Sequence, residues 1–195
     1  MIYNKSQEEI LDRDMARQLI LEAENGTVSV PKGITTIEAK AFANFIGFDT
    51  VILPKSLCEI RDFAFDNCAS LRTIILEDNV SEIGAFAFSN CISLQIITLP
   101  DSLSEIGVFA FSNCISLENI AIPPKINCIR FGTFCGCTGL KEFLISQSIT
   151  EIHSQAFEDC SNLERFLVPS NLITIEKDVF KSCPKIALYL YSVKN

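Results

Sequence analysis

Nine cysteines and a single histidine, His153, are the side chains of this 195-residue chain with the most chemistry to offer. Thiols and an imidazole can bind zinc, form disulfides or make a nucleophile–base pair. Their spacing argues against all three. Cys68, Cys91, Cys114, Cys137, Cys160 and Cys183 recur every 23 residues, while Cys58, Cys128 and Cys135 lie outside that series. Zinc takes about four ligands in a tetrahedron, and the one close pair, Cys135 with Cys137, has only a distant histidine to add. Side chains repeating in one column point the same way, which is awkward for a disulfide, and an odd count leaves a thiol over. The expectation is packed, reduced thiols, as a reducing compartment would keep them. His153 falls in a column otherwise holding Arg61, Gly84, Gly107, Arg130 and Glu176. Such tolerance of charge marks a solvent-facing position rather than a general base. No Ser-His-Asp or Cys-His set and no glycine-rich phosphate loop can be assembled, so no enzyme activity, metal or cofactor is expected.

Charge and hydropathy narrow the partners. Sixteen basic against 24 acidic residues give a net charge of −8, which disfavours nucleic acid, whose binding rests on Lys and Arg. No apolar run approaches the roughly 20 residues of a membrane span. The start, Met1-Ile2-Tyr3-Asn4-Lys5, lacks the apolar core of a signal peptide. A cytoplasmic protein is therefore expected, with the cell surface as the alternative if another export route operates.

The elements that place these residues follow from the repeat. Phe42, Phe65, Phe88, Phe111, Phe134, Phe157 and Phe180 keep the same 23-residue spacing as the cysteines, as do Ile37, Ile60, Ile83, Ile106, Ile129, Ile152 and Ile175. Such short units cannot bury an apolar face alone and must stack. Within one unit, Leu71, Ile74 and Leu76 read as a strand, Val80-Ser81-Glu82-Ile83 as a second short extended or turn segment, and Phe88 with Cys91 as one face of a helical turn. Stacking turns each column into a ladder, with parallel strands about 4.8 Å apart.

The pattern Ile83-Gly84-Ala85-Phe86-Ala87-Phe88-Ser89-Asn90-Cys91-Ile92-Ser93-Leu94-Gln95-Ile96-Ile97-Thr98-Leu99-Pro100 resembles the BspA-type leucine-rich repeat over residues 27 to 191. The resemblance implies an α/β leucine-rich-repeat solenoid, with a parallel sheet on one face and short helical turns on the other. It also implies a binding protein rather than an enzyme, and an adhesion-type surface role as in many members.

The ends differ from the middle. Residues 1–26 read as an N-terminal helical cap and 27–195 as the seven-coil solenoid. Ser6 and Glu9 fit a capping box, apolar residues from Ile10 to Ile20 recur at helical spacing, and Asn25-Gly26 fits a stop. Phe45 and Phe48 are placed to meet that helix. The last strand, Ile186 to Tyr191, is an uncovered apolar edge, so self-association there is the expectation of a different class.

Strand alternation points to a protein-binding face on the sheet. One outward column runs Ile52, Ile75, Thr98, Ala121, Leu144, Leu167, Leu190; the other includes Ile96, Asn119, Glu142 and Arg165. Thr98 and Asn119 make its polar centre. A second candidate patch comprises Phe63, Phe86 and Phe109 with Ile92 and Ile115. It reads as extra core in preference to a binding site.

Overall fold

The computed structural model describes residues 9–191. In chain order its elements begin with β1 (Glu9–Leu11), α1 (Arg13–Leu21), β2 (Thr27–Ser29), β3 (Ile34–Ile37) and β4 (Thr50–Ile52). There follow β5 (Glu59–Ile60), β6 (Thr73–Ile75), β7 (Glu82–Ile83), β8 (Ile96–Thr98), β9 (Glu105–Ile106) and β10 (Cys128–Ile129). The chain continues through β11 (Glu142–Leu144), β12 (Glu151–Ile152), β13 (Arg165–Pro169), β14 (Thr174–Ile175) and β15 (Ala187–Tyr191). Strands alternate between two parallel walls, β2-β4-β6-β8 and β11-β13-β15 on one, β1-β3-β5-β7-β9 and β10-β12-β14 on the other. The third wall is a run of turns. This is a leucine-rich-repeat solenoid.

The turn wall differs in detail from short helical turns. It closes by three-residue bonds, such as Asp66 N–H to the Phe63 carbonyl at 3.0 Å and Cys68 N–H to Phe65 at 3.2 Å. Alternate amides instead reach the next coil, as when Phe65 N–H donates to Ala87 at 2.7 Å and Asn67 N–H to Ser89 at 2.8 Å. Two residues per coil take the left-handed conformation, for example Phe63 (φ 59°) and Asn67 (φ 56°), so a helical ladder cannot propagate. Asparagine tolerates that region because its short side chain bonds locally. Here it also bonds along the stack, Asn67 Nδ2 to Asn44 Oδ1 at 2.9 Å and Asn113 Nδ2 to Asn90 Oδ1 at 3.0 Å.

Both sequence ladders are core. Phe42, Phe65, Phe88, Phe111, Phe134 and Phe157 are fully buried, with consecutive ring centroids 4.8, 5.2, 5.5, 5.6 and 5.3 Å apart. The cysteines do more than fill volume. Each Sγ–H donates to the phenylalanine carbonyl of the preceding coil, from Cys68 to Phe42 at 3.1 Å through Cys114 to Phe88 at 3.2 Å and Cys183 to Phe157 at 3.0 Å. These carbonyls already accept one amide within their own turn, as Phe42 does from the Phe45 N–H at 3.1 Å, so the thiol fills the second lone pair and ties successive coils together, which alanine would not do. All nine cysteines are free.

The amino-terminal helix is shorter than expected. Glu9, Ile10 and Leu11 form β1 beside β3, with Leu11 fully buried opposite Ile37. The helix is capped by Asp12, whose carboxylate accepts the Met15 N–H at 2.8 Å. The capping box is therefore not formed: Glu9 lies in a strand and Ser6 lies outside the described residues. Burying Leu11 strand-wise extends the second sheet, with Ile10 left exposed, and Asp12 supplies the cap after it. The helix also stops at Leu21, before the turn at Asn25 (φ 51°) and Gly26 (φ 77°) that leads into β2. Its contact with Phe45 is made by Arg13, whose guanidinium lies 4.3 Å from the ring centroid and bonds the Lys40 and Ala43 carbonyls at 2.8 and 2.9 Å. Phe48 is buried against Phe42 instead, at 5.9 Å.

Candidate functional site

The parallel sheet β2-β4-β6-β8 presents the expected outward residues. Ile52, Ile75 and Ile96 are each 54% exposed, and Leu144 on β11 is 55% exposed. Inward neighbours Val51, Ile74 and Phe143 are buried, so the alternation is clean. Thr98, Asn119, Glu142 and Arg165 are exposed, whereas Leu167 is half-buried.

Leu190 is not in this column. β15 pairs with β13 one residue out of the repeat, so that Tyr189 sits opposite Leu167 and Leu190 opposite Val168. The shift brings Tyr189 under the Arg165 guanidinium at 5.6 Å, while Arg165 also bonds Glu142 at 2.7 Å. Glu142, Arg165 and Tyr189 thus continue the face with polar character. The signal for this shift is faint, because Cys183 and Ile186 keep the repeat and only the residues after them move.

The centre of the face is interrupted. β8 and β11 belong to separate sheets, and between them Asn119-Ile120-Ala121 forms no strand. From Glu118 to Ile122 no backbone N–H or C=O has a backbone partner among the described residues. The second wall parts at the same level, between β9 and β10. Three sequence features explain the break. Asn119 and Ala121 are poor strand formers. Pro123 and Pro124 remove two successive backbone N–H donors at the end of the stretch. The inward column also changes from aliphatic Val51, Ile74, Ile97 and Ile120 to Phe143 and Phe166, and the wider rings disturb the even stacking a ladder needs.

A groove of about 580 Å³ opens over the break, lined by Ile97, Asn119, Ile120, Ala121, Ile122, Glu142, Leu144 and Ser146. A polar recess formed by Gln95, Ser116, Glu118 and Asn119 adjoins it through Asn119. Asn119, Glu142 and Leu144 are thus brought together as the alternation predicted. Ile97, Ile122, Glu118 and Ser146 were not foreseen, and the double proline was the available signal.

The second patch is not core. Phe63, Phe86 and Phe109 are half-buried, lie outside the core cluster and stack with centroids 4.8 and 5.0 Å apart. Their left-handed backbone turns the rings away from the interior, which the spacing could not reveal. Lys40 lies 5.4 Å from the Phe63 ring centroid at one end, and Phe131 meets Phe109 edge-on at 5.1 Å at the other. Gly132 leaves room for this ring, since a Cβ there would stand 2.2 Å from Phe109. Ile92 and Ile115 are exposed nearby in sequence.

His153 is half-exposed, 3.7 Å from Glu151 and 3.4 Å from Glu176. Among the described residues, no three His, Cys, Asp or Glu side chains cluster to hold a metal, and no helix is long and apolar enough to cross a membrane.

The repeat has relatives. The model of the BspA type Leucine rich repeat region matches in 6 copies, over residues 22–92 and 59–187. Comparison with curated proteins finds no match. Among solved structures, a leucine rich cell surface protein from Faecalibacterium prausnitzii is 25% identical over 88% of this chain and 61% of its own, with a TM-score of 0.49. A leucine-rich repeat protein from Bacteroides ovatus is 23% identical over 86% of this chain and 55% of its own, with a TM-score of 0.60. The T. pallidum leucine rich repeat protein is 24% identical over 86% of this chain and 73% of its own, also with a TM-score of 0.60. The chain thus spans less than two thirds of the length of the first two. With six matched copies covering most of its length, the chain belongs to the BspA-type leucine-rich repeat family.

Proposed function

We propose that the chain is a non-catalytic protein-binding module whose partner lies on the outward face of the parallel sheet. Repeat proteins of this kind typically mediate protein–protein interaction or adhesion, and the observation that carries the assignment to this face is its exposed aliphatic column. Ile52, Ile75 and Leu144 in that column, on β4, β6 and β11, and Ile96 in the neighbouring one stay more than half exposed, and burying each would contribute about 1 kcal/mol or more. Asn119, Glu142 and Arg165 add polar groups that fix direction. Ile75→Glu combined with Leu144→Glu is expected to abolish capture of the partner from the native cell. The circular dichroism spectrum and melting temperature should stay as in the parent, because neither side chain is in the core. Undiminished capture by the folded double variant would remove the sheet face from consideration.

A second reading rests on β15, which among the described residues pairs on one side only. Leu188 is 54% exposed and Leu190 84% exposed beside it, and the strand from Ala187 to Tyr191 carries no charge or proline to discourage pairing. On this reading the 195-residue chain self-associates through that edge. Mass by sedimentation should rise with concentration in the micromolar range, and Leu190→Lys should restore the monomer. A mass that stays monomeric at high concentration counts against it.

A further inference from the structure

We propose that the interruption at Glu118–Ile122 is a docking slot for an extended peptide that carries an apolar anchor and a neighbouring basic residue. This rests on the sheet-face reading and names the kind of segment the partner offers. Two independent observations meet here. The first is the backbone, where five consecutive residues lack the coil-to-coil bonding that their counterparts at Thr73–Ile75 make to both neighbours. Free N–H and C=O groups along an extended stretch are what strand-like peptide recognition uses. The second is the groove over the same residues, about 580 Å³, whose floor reaches the interior. Ile97 and Ile122 are each 8% exposed, against 0% for Ile74 in the paired part of the sheet.

The chemistry of the occupant follows from the lining. Ile97, Ala121 and Leu144 make an apolar seat for one side chain of about leucine size. Glu118, in the adjoining recess, has no ion-pair partner among the described residues, in contrast to Glu142, which bonds Arg165 at 2.7 Å. A carboxylate left free beside an apolar seat selects a lysine or arginine near the anchor. The peptide backbone bonds the 118–122 stretch.

The test begins with hydrogen exchange of the free 195-residue chain. Amides of residues 119–122 are expected to exchange roughly 100-fold faster than those of 73–76. A phage-displayed library of random twelve-residue peptides is then panned on the chain and a selected peptide synthesised. It is expected to protect 118–122 from exchange and to lose at least about tenfold in affinity against Glu118→Lys or Leu144→Glu. Asp101→Lys, a matched charge reversal on an exposed turn, should leave it unchanged. Methylating alternate peptide nitrogens should abolish binding in one phase and spare it in the other. Protection of 119–122 in the free chain equal to that of 73–76 overturns the slot, as does failure to select any peptide. A peptide that protects 50–75 and ignores Glu118→Lys overturns the slot alone and leaves the sheet-face reading standing. Native-partner capture that survives the double glutamate variant fails that reading instead.

Discussion

Taking the chain from about pH 9 to pH 10 is expected to remove about 4 kcal/mol of its stability, most of what a marginally stable domain has. The source is the cysteine ladder. Burial pushes the thiols of Cys91 and Cys137 up from 9.0 to about 12, and burial likewise raises Cys68 and Cys114. A folded-state value above the unfolded one means that the folded chain holds its thiol protons where the unfolded chain releases them. The contribution is therefore complete below pH 9 and is lost as the pH climbs toward the folded values. Each such thiol costs about 1 kcal/mol between about pH 9 and 10, rising toward about 1.4 kcal/mol per pH unit above that, and four act together. The denaturant midpoint followed by circular dichroism from pH 8 to 10.5 measures the slope. Replacing Cys91 and Cys137 with alanine should make that slope shallower by the share of two thiols, even though both replacements lower stability at neutral pH. A stability that stays flat to pH 10 would show that the thiols are not held in the interior.

Phe111→Ala is expected to lower the unfolding free energy by about 4 kcal/mol. Its ring is fully buried between Phe88 and Phe134, 5.5 and 5.6 Å away. Removing it leaves a hole that neighbours on a fixed repeat cannot collapse to fill, because each is held by its own coil. Phe180 is only partly buried at the end of the same ladder, and Phe180→Ala should cost less than half as much. Urea unfolding of the two variants compares them directly. Equal losses would mean that position within the stack is irrelevant, contrary to nearest-neighbour coupling in repeat proteins.

The ladders were readable from spacing because stacking acts on columns. Phe65 and Cys68 recur in the sequence for the same reason they are buried in the structure, and the outward position of Ile52 and Ile75 followed from alternation alone. Conformations set by a single residue were harder to read. Nothing in the types of Phe63, Phe86 and Phe109 announces a left-handed backbone, which ordinarily excludes bulky side chains; three rings stacked on each other offset that strain, and spacing alone reads them as core. Ser6 and Glu9 obey a local capping rule, yet the sheet edge beside Ile34–Ile37 competes for the same stretch and Leu11 is buried there. The interruption at Glu118–Ile122 is only partly local: Asn119, Ala121 and the double proline weaken the strand, whereas the size change from Ile120 to Phe143 lies between two residues one coil apart.

At that interruption the three walls are unequal. Across it, Phe109 N–H reaches the Phe131 carbonyl at 3.0 Å, Phe111 reaches Thr133 at 2.9 Å and Asn113 reaches Cys135 at 2.7 Å, all on the turn wall. The two sheets stop on either side, and the exposed ion pair of Glu105 and Arg130 at 2.9 Å adds under about 1 kcal/mol. The buried Phe111 and Phe134 rings, 5.6 Å apart, and the Cys137 thiol on the Phe111 carbonyl at 3.0 Å belong to that same wall, so the tie between coils at this level is carried on one side, where elsewhere all three walls share it.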